Sequence, residues 1–85
     1  MKTFTYTITD ALGIHARPAG LLVKAAAPFQ SEITLATPAK KANAKRMMAV
    51  MGLGAKHGTE LTVTVEGPDE EAAAAAMEAF LKENL

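Results

Sequence analysis

The chain carries two histidines and no cysteine, so thiolate chemistry, disulfides and cysteine metal cages are out of reach. The more informative histidine is His15, set in the run Gly13-Ile14-His15-Ala16-Arg17-Pro18-Ala19. A proline costs little in the first turn of a helix, where its missing N–H has no partner to lose, and its fixed φ helps start one. If a helix begins directly after His15, the N–H groups of Ala16 and Arg17 have no intrahelical acceptor and point outward at the positive end of the helix dipole. Such an end binds anions, and the Arg17 guanidinium adds a fork that matches phosphate oxygens. A neutral imidazole is a nucleophile that requires no base to activate it. The combination therefore reads as a histidine able to take up a phosphoryl group, held by Arg17 and the Ala16 amide. Taken alone, a histidine before a helix reads as a capping or surface residue; Arg17 and Pro18 are what change its standing. Gly13 is read as letting the imidazole approach the helix end closely, and Asp10, the nearest acid upstream, is given no role. His57, between Lys56 and Gly58, reads as exposed and inert, and no metal site is expected.

A second feature is the cluster Met47, Met48 and Met51 at helical spacing, flanked by Lys45 and Arg46. An apolar stripe on a helix usually faces a core. Here Ala44, Val50 and Leu53 compete for that role, and a short helix in a small domain cannot bury apolar side chains all round. Flexible, polarisable methionines left in solvent suit a surface that fits several partners. Both readings stand on the sequence alone.

These residues need a scaffold. Phe4, Tyr6 and Ile8 alternate with threonines, as in a half-buried strand, and residues 10–13 turn the chain. Helical spacing through Ala19, Leu22 and Ala26 predicts a helix over residues 16–27, closed by Pro28. A second strand follows around Ile33 and Leu35, then a turn over residues 37–40 and a short strand over 41–43. Residues 44–51 read as a short helix with Asn43 as N-cap and Gly52 or Gly54 at its end. Leu61, Val63 and Val65 alternate with Thr62, Thr64 and Glu66 in the clearest strand. Gly67-Pro68 opens a last helix whose first turn holds Asp69, Glu70 and Glu71, favourable at a helix N-terminus. Its alanine run allows close packing, and Met77, Phe80 and Leu81 supply the apolar side of its final turns. The order β-α-β-β-α-β-α predicts an α+β domain with a mostly antiparallel sheet covered on one face, threonines outward.

The 85 residues read as one domain, 1–85. Hydrophobic residues at 49% supply a core, and 21% charged residues with no net charge argue against disorder. No apolar run is long enough for a membrane span and no signal peptide is recognisable, which leaves a cytoplasmic location as the expectation. Aromatic residues are only 5%, with no tryptophan, so the stacking platform of a single-stranded nucleic-acid binder is lacking. The neutral total conceals an asymmetry. Arg17, Lys24, Lys40, Lys41, Lys45, Arg46 and Lys56 face only Glu32 between residues 11 and 58, whereas the acids gather from residue 60 onward. If the basic segment forms one surface, its partners are acidic or carry phosphate.

Gly13-Ile14-His15-Ala16-Arg17-Pro18-Ala19-Gly20, followed by Ala44-Lys45-Arg46-Met47-Met48 and Met51-Gly52-Leu53-Gly54, closely resembles the HPr family. These are the histidine-containing phosphocarriers of the bacterial phosphoenolpyruvate-dependent sugar phosphotransferase system. The resemblance runs over essentially the whole chain and implies an open-faced β-sandwich, a four-stranded antiparallel sheet with three helices on one face. It implies that His15 takes a phosphoryl group on its δ nitrogen from enzyme I, which received it from phosphoenolpyruvate. It further implies delivery to the A domains of sugar-specific permease components, with no cofactor and no catalytic turnover of the carrier's own. Gly20, Met47, Met48 and Met51 would form the apolar contact patch, with Lys24, Lys45 and Arg46 as its basic rim. A carrier that alternates between partners on one surface is expected to be a monomer. Many relatives place a regulatory serine immediately before the residue corresponding to Met47. Arg46 stands there in this chain, which implies that serine-based regulation is absent. Leu12 likewise replaces a polar residue that in some members reaches the site. The alternative reading is an HPr-like regulatory docking module of a nitrogen-linked or catabolite-control branch.

Overall fold

The computed structural model covers residues 1–85 and arranges them as β1 (Lys2–Thr7), α1 (Ala16–Ala26), β2 (Glu32–Ala36), β3 (Lys41–Asn43), α2 (Met47–Gly52), β4 (Glu60–Glu66) and α3 (Glu70–Asn84). The strands form one antiparallel sheet in the order β1-β4-β2-β3. Its register explains the alternation seen in the sequence. Phe4 lies opposite Val63 and Tyr6 opposite Leu61, while Val63 and Val65 also face Leu35 and Ile33. Residues directly opposite one another in an antiparallel pair share a face, so these side chains form one apolar layer. On the reverse face Thr3, Thr64, Thr34 and Asn43 fall in one row, and Thr5 and Thr62 in the next.

The helices pack on the apolar layer. Ala19, Leu22 and Ala26 of α1, and Ala73, Met77 and Leu81 of α3, recur every three or four residues and are buried. They join Ile33, Leu35, Val50, Leu61, Val63 and Val65 in a single core. Burying the larger of these side chains, the leucines, isoleucines, valines and methionine, is worth roughly 1.5–3 kcal/mol each, the dominant favourable contribution in a domain of this size. Of the alanine run in α3, Ala73 alone is fully buried, and Phe80 is half-buried against the core. No helix is long and apolar enough to cross a membrane.

Several boundaries shift by a residue or two, β1 ending at Thr7 before Ile8 and α3 starting at Glu70 with Asp69 as its N-cap, and the largest difference from the expectation is at the short helix. The short helix begins at Met47, not Ala44, and its N-cap is Arg46, not Asn43. Ala44 continues the sheet, its N–H donating to the Ile33 carbonyl at 2.8 Å. Asn43 Oδ1 accepts the Lys45 N–H at 2.9 Å and the Asn43 carbonyl accepts the Arg46 N–H at 3.0 Å, which closes a turn before the helix. Asparagine side chains commonly compete with helix in this way.

Candidate functional site

The loop before His15 is fixed at several points. The N–H groups of Thr9 and Asp10 and the Thr9 hydroxyl all donate to the Leu85 carbonyl, at 2.6, 2.7 and 2.8 Å. Asp10 Oδ1 accepts the Leu12 N–H at 2.8 Å, and the Asp10 carbonyl accepts the Gly13 N–H at 3.1 Å. Ile14 is buried and donates its N–H to the Ala55 carbonyl at 3.0 Å. Gly13 adopts φ +69°, and a β-carbon there would lie 2.3 Å from the Ala55 oxygen. Glycine is therefore required by the backbone of residues 55–56, not by the imidazole as the sequence suggested.

His15 follows as the N-cap of α1, with extended backbone (φ −122°, ψ −175°) and no capping hydrogen bond from its side chain. Its carbonyl accepts the first helical bond from Ala19. The N–H groups of Ala16 and Arg17 find no acceptor within the chain, and Pro18 brings none. The helix start therefore presents two free donors and the dipole's positive end beside the half-exposed imidazole. Arg17 is exposed and makes no ion pair. His15, Arg17, Pro18 and Leu21 share a shallow depression of about 250 Å³ with Asp10, Glu83 and Asn84. The sequence offers no role for Asp10 and no signal for Glu83 or Asn84. They are brought in by the packing of α3 alongside α1, a long-range event with no local signature in the chain.

The remaining candidate residues lie on α1, α2 and the turn between β3 and α2. Gly20 faces Met47, whose Cε is 3.8 Å from the position a β-carbon would take. Met47 is half-buried there, while Met48 is 80% exposed and Met51 38% exposed. The methionine stripe is thus divided: one methionine packs between helices and two reach solvent. Lys24 and Arg46 are exposed and unpaired. Lys45 differs, because its ammonium donates to the Phe29 carbonyl just beyond α1 and is held on the protein. His57 is exposed in a turn, and no group of residues is suited to a metal ion. None of the basic residues between 11 and 58 makes an ion pair with a carboxylate, so the asymmetry in the sequence persists as unneutralised charge.

A chain with this sheet, these helices and a histidine at the start of the first of them has well-defined relatives. Residues 2–83 match the family model described as "PTS HPr component phosphorylation site". The phosphocarrier protein HPr of Lysinibacillus sphaericus is 49% identical over 83 residues, covering 98% of this chain and 94% of that protein. A solved histidine-containing phosphocarrier protein from Mycoplasma superposes with a TM-score of 0.93 at 39% identity, covering 96% of this chain and 93% of that one. An HPr dimer from Thermoanaerobacter tengcongensis superposes with a TM-score of 0.77 at 40% identity, covering 98% and 95%. The chain belongs to the HPr family of phosphotransferase-system phosphocarrier proteins.

Proposed function

We propose that residues 1–85 act as one carrier unit, taking a phosphoryl group on His15 from enzyme I and passing it to the A domains of sugar-specific permease components. The observation that carries this reading is His15 at the N-terminus of α1, beside two free backbone donors and an unpaired Arg17. In the loading step an imidazole nitrogen of His15 attacks phosphorus, and the bond from phosphorus to the donor histidine of enzyme I breaks. The Ala16 and Arg17 amides and the Arg17 guanidinium then face the phosphoryl oxygens, which they stabilise through charge-assisted hydrogen bonds. Nothing is consumed on the carrier itself, and the group leaves by the reverse chemistry toward the next protein. Gly20, Met47, Met48 and Met51 form the contact patch, with Lys24 and Arg46 as a free basic rim and Lys45 bracing it. The same surface serves donor and acceptor in turn, so a monomer in the cytoplasm is the form expected to work. Serine-based regulation has no place in this reading. Arg46 stands where the switch would be, and Ser31, the only serine in the chain, is fully buried.

Docking alone would require neither His15 nor Arg17, which favours the carrier over a purely regulatory module. The test is incubation with phosphoenolpyruvate and the enzyme I of a relative. Wild type acquires an acid-labile phosphoryl adduct, and His15→Ala acquires none. Equal labelling of the two proteins sinks the proposal.

A further inference from the structure

Besides His15, the depression that holds the phosphoryl acceptor has three charged groups on its walls, and two of them are negative. Asp10 comes from the turn after β1 and Glu83 from the last turn of α3; Arg17 is the single cation. Neither carboxylate has a cationic partner anywhere in the chain. Asp10 is held in place, because its Oδ1 accepts the Leu12 N–H at 2.8 Å and its own N–H is fixed on the Leu85 carbonyl. Thr9 ties the same turn to the same carbonyl through both its N–H and its hydroxyl, so the turn carrying Asp10 and the end of α3 carrying Glu83 are locked together. For a site meant only to retain a phosphoryl group this is the wrong charge balance. A group that brings about two negative charges enters a depression that is already net negative.

We propose that Asp10 and Glu83 raise the free energy of the phosphorylated form and so set how readily the carrier gives its phosphoryl group away. This rests on the assignment of His15 as the acceptor. The two carboxylates act in the same direction, through space. They repel the phosphoryl oxygens, and their field offsets part of the attraction that Arg17 exerts on those oxygens. The free amides of Ala16 and Arg17 bind the group, and the carboxylates keep the binding from becoming a trap. A carrier must be loaded and unloaded with little loss at either step, and a pocket lined by carboxylates meets that need better than a strongly positive one. At solvent-exposed separations of several ångströms in ordinary salt, each carboxylate accounts for a roughly two- to fourfold shift in the phosphorylation equilibrium.

A competition between carriers tests this without reference to rates. Phosphorylated wild type is mixed with an equal amount of unphosphorylated, isotopically distinguished Asp10→Asn or Glu83→Gln, with a catalytic amount of enzyme I. The phosphoryl group then passes between imidazoles, one N–P bond breaking as the next forms, until the partition reflects only the two carriers' relative stabilities. Intact-mass measurement reads that partition. Asp10→Asn keeps an acceptor for the Leu12 N–H, so the turn is preserved while the charge is removed. The expected result is a two- to fourfold excess of label on each variant, larger on the double variant, shrinking toward equality in high salt. An even partition, a preference for wild type or an excess indifferent to salt overturns the proposal. Failure of wild type to take up any label is a different result, and it overturns the assignment of His15 beneath it.

Discussion

A methyl group added at Gly13 and one added at Gly20 meet opposite receptions. At Gly13 the left-handed φ of +69° disfavours any side chain, and the backbone of Ala55 and Lys56 stands 2.3 and 2.6 Å from the new carbon. Backbone cannot swing aside as a side chain does, so Gly13→Ala is expected to cost at least about 1–3 kcal/mol. At Gly20 the helical backbone accepts alanine, and the nearest atom is the mobile Met47 Cε at 3.8 Å. Gly20→Ala is expected to gain roughly 0.5–1 kcal/mol from helix propensity. Urea unfolding of the two variants beside wild type checks both signs; equal effects contradict the account. Gly13 also shows where residue-scale reading of the sequence reaches its end. That this glycine mattered was legible from its place before His15. The reason was not, because residue 55 is brought to it only by the folded chain. The placement of His15, Ala16, Arg17 and Pro18 at a helix start was legible because a helix N-terminus is a local structure, whereas Glu83 and Asn84 arrive from the far end of the chain.

Asp69 does for the elements what glycine does for the turns. It is the N-cap residue of α3, yet its carboxylate makes no capping bond to its own helix. Oδ1 accepts the Ser31 N–H at 2.9 Å together with the Ser31 hydroxyl, and Oδ2 accepts the Gln30 N–H at 2.9 Å. The start of α3 is thereby tied to the link between α1 and β2. These donors, the Ser31 hydroxyl first, hold the Asp69 carboxyl below its ordinary value of 3.8. A carboxyl lowered in the folded state binds fewer protons than in the unfolded chain, so its stabilisation is fully present above the ordinary value and is lost as pH falls through the folded value. Wild type should therefore lose stability on acidification below about pH 4, and Ser31→Ala should lose less over the same interval. Denaturant midpoints from pH 6 down to about pH 2 read the difference; parallel curves would mean that Asp69 is not responsible. Most elements were evident from periodicity, since an alternating strand and a three-to-four-residue helical step are hard to confuse. The start of α2 was not. Ala44, Lys45 and Arg46 have good helix propensity, but a sheet bond at Ala44 and the Asn43 side chain claim the backbone first.

For the whole molecule, the sheet divides the surface into a threonine-rich face and a helical side, and the charges divide along the chain. The unpaired cations come from the segment that includes α1 and α2, while the acids that do pair, Glu70, Glu71 and Glu78, all lie on α3. Two of the methionines beside that basic surface, Met48 and Met51, reach solvent, whereas Met77 lies in the core at 1% exposure. This contrast makes the molecule unevenly sensitive to oxidants. A peroxide reaches Met48, 80% exposed, well before Met77, and the sulfoxide turns a flexible apolar side chain into a polar one. The core methionine is spared, so the fold survives while the exposed methionine face is altered. Mild peroxide treatment should convert Met48 before Met77, leave the melting temperature nearly unchanged and slow phosphoryl exchange with enzyme I. Restoration of the rate by methionine sulfoxide reductase would tie the loss to sulfur, and a lasting loss would point elsewhere. Under the proposed function, a carrier docking through thioethers would in that way lower sugar uptake under oxidative stress and recover it by repair, with no new protein made.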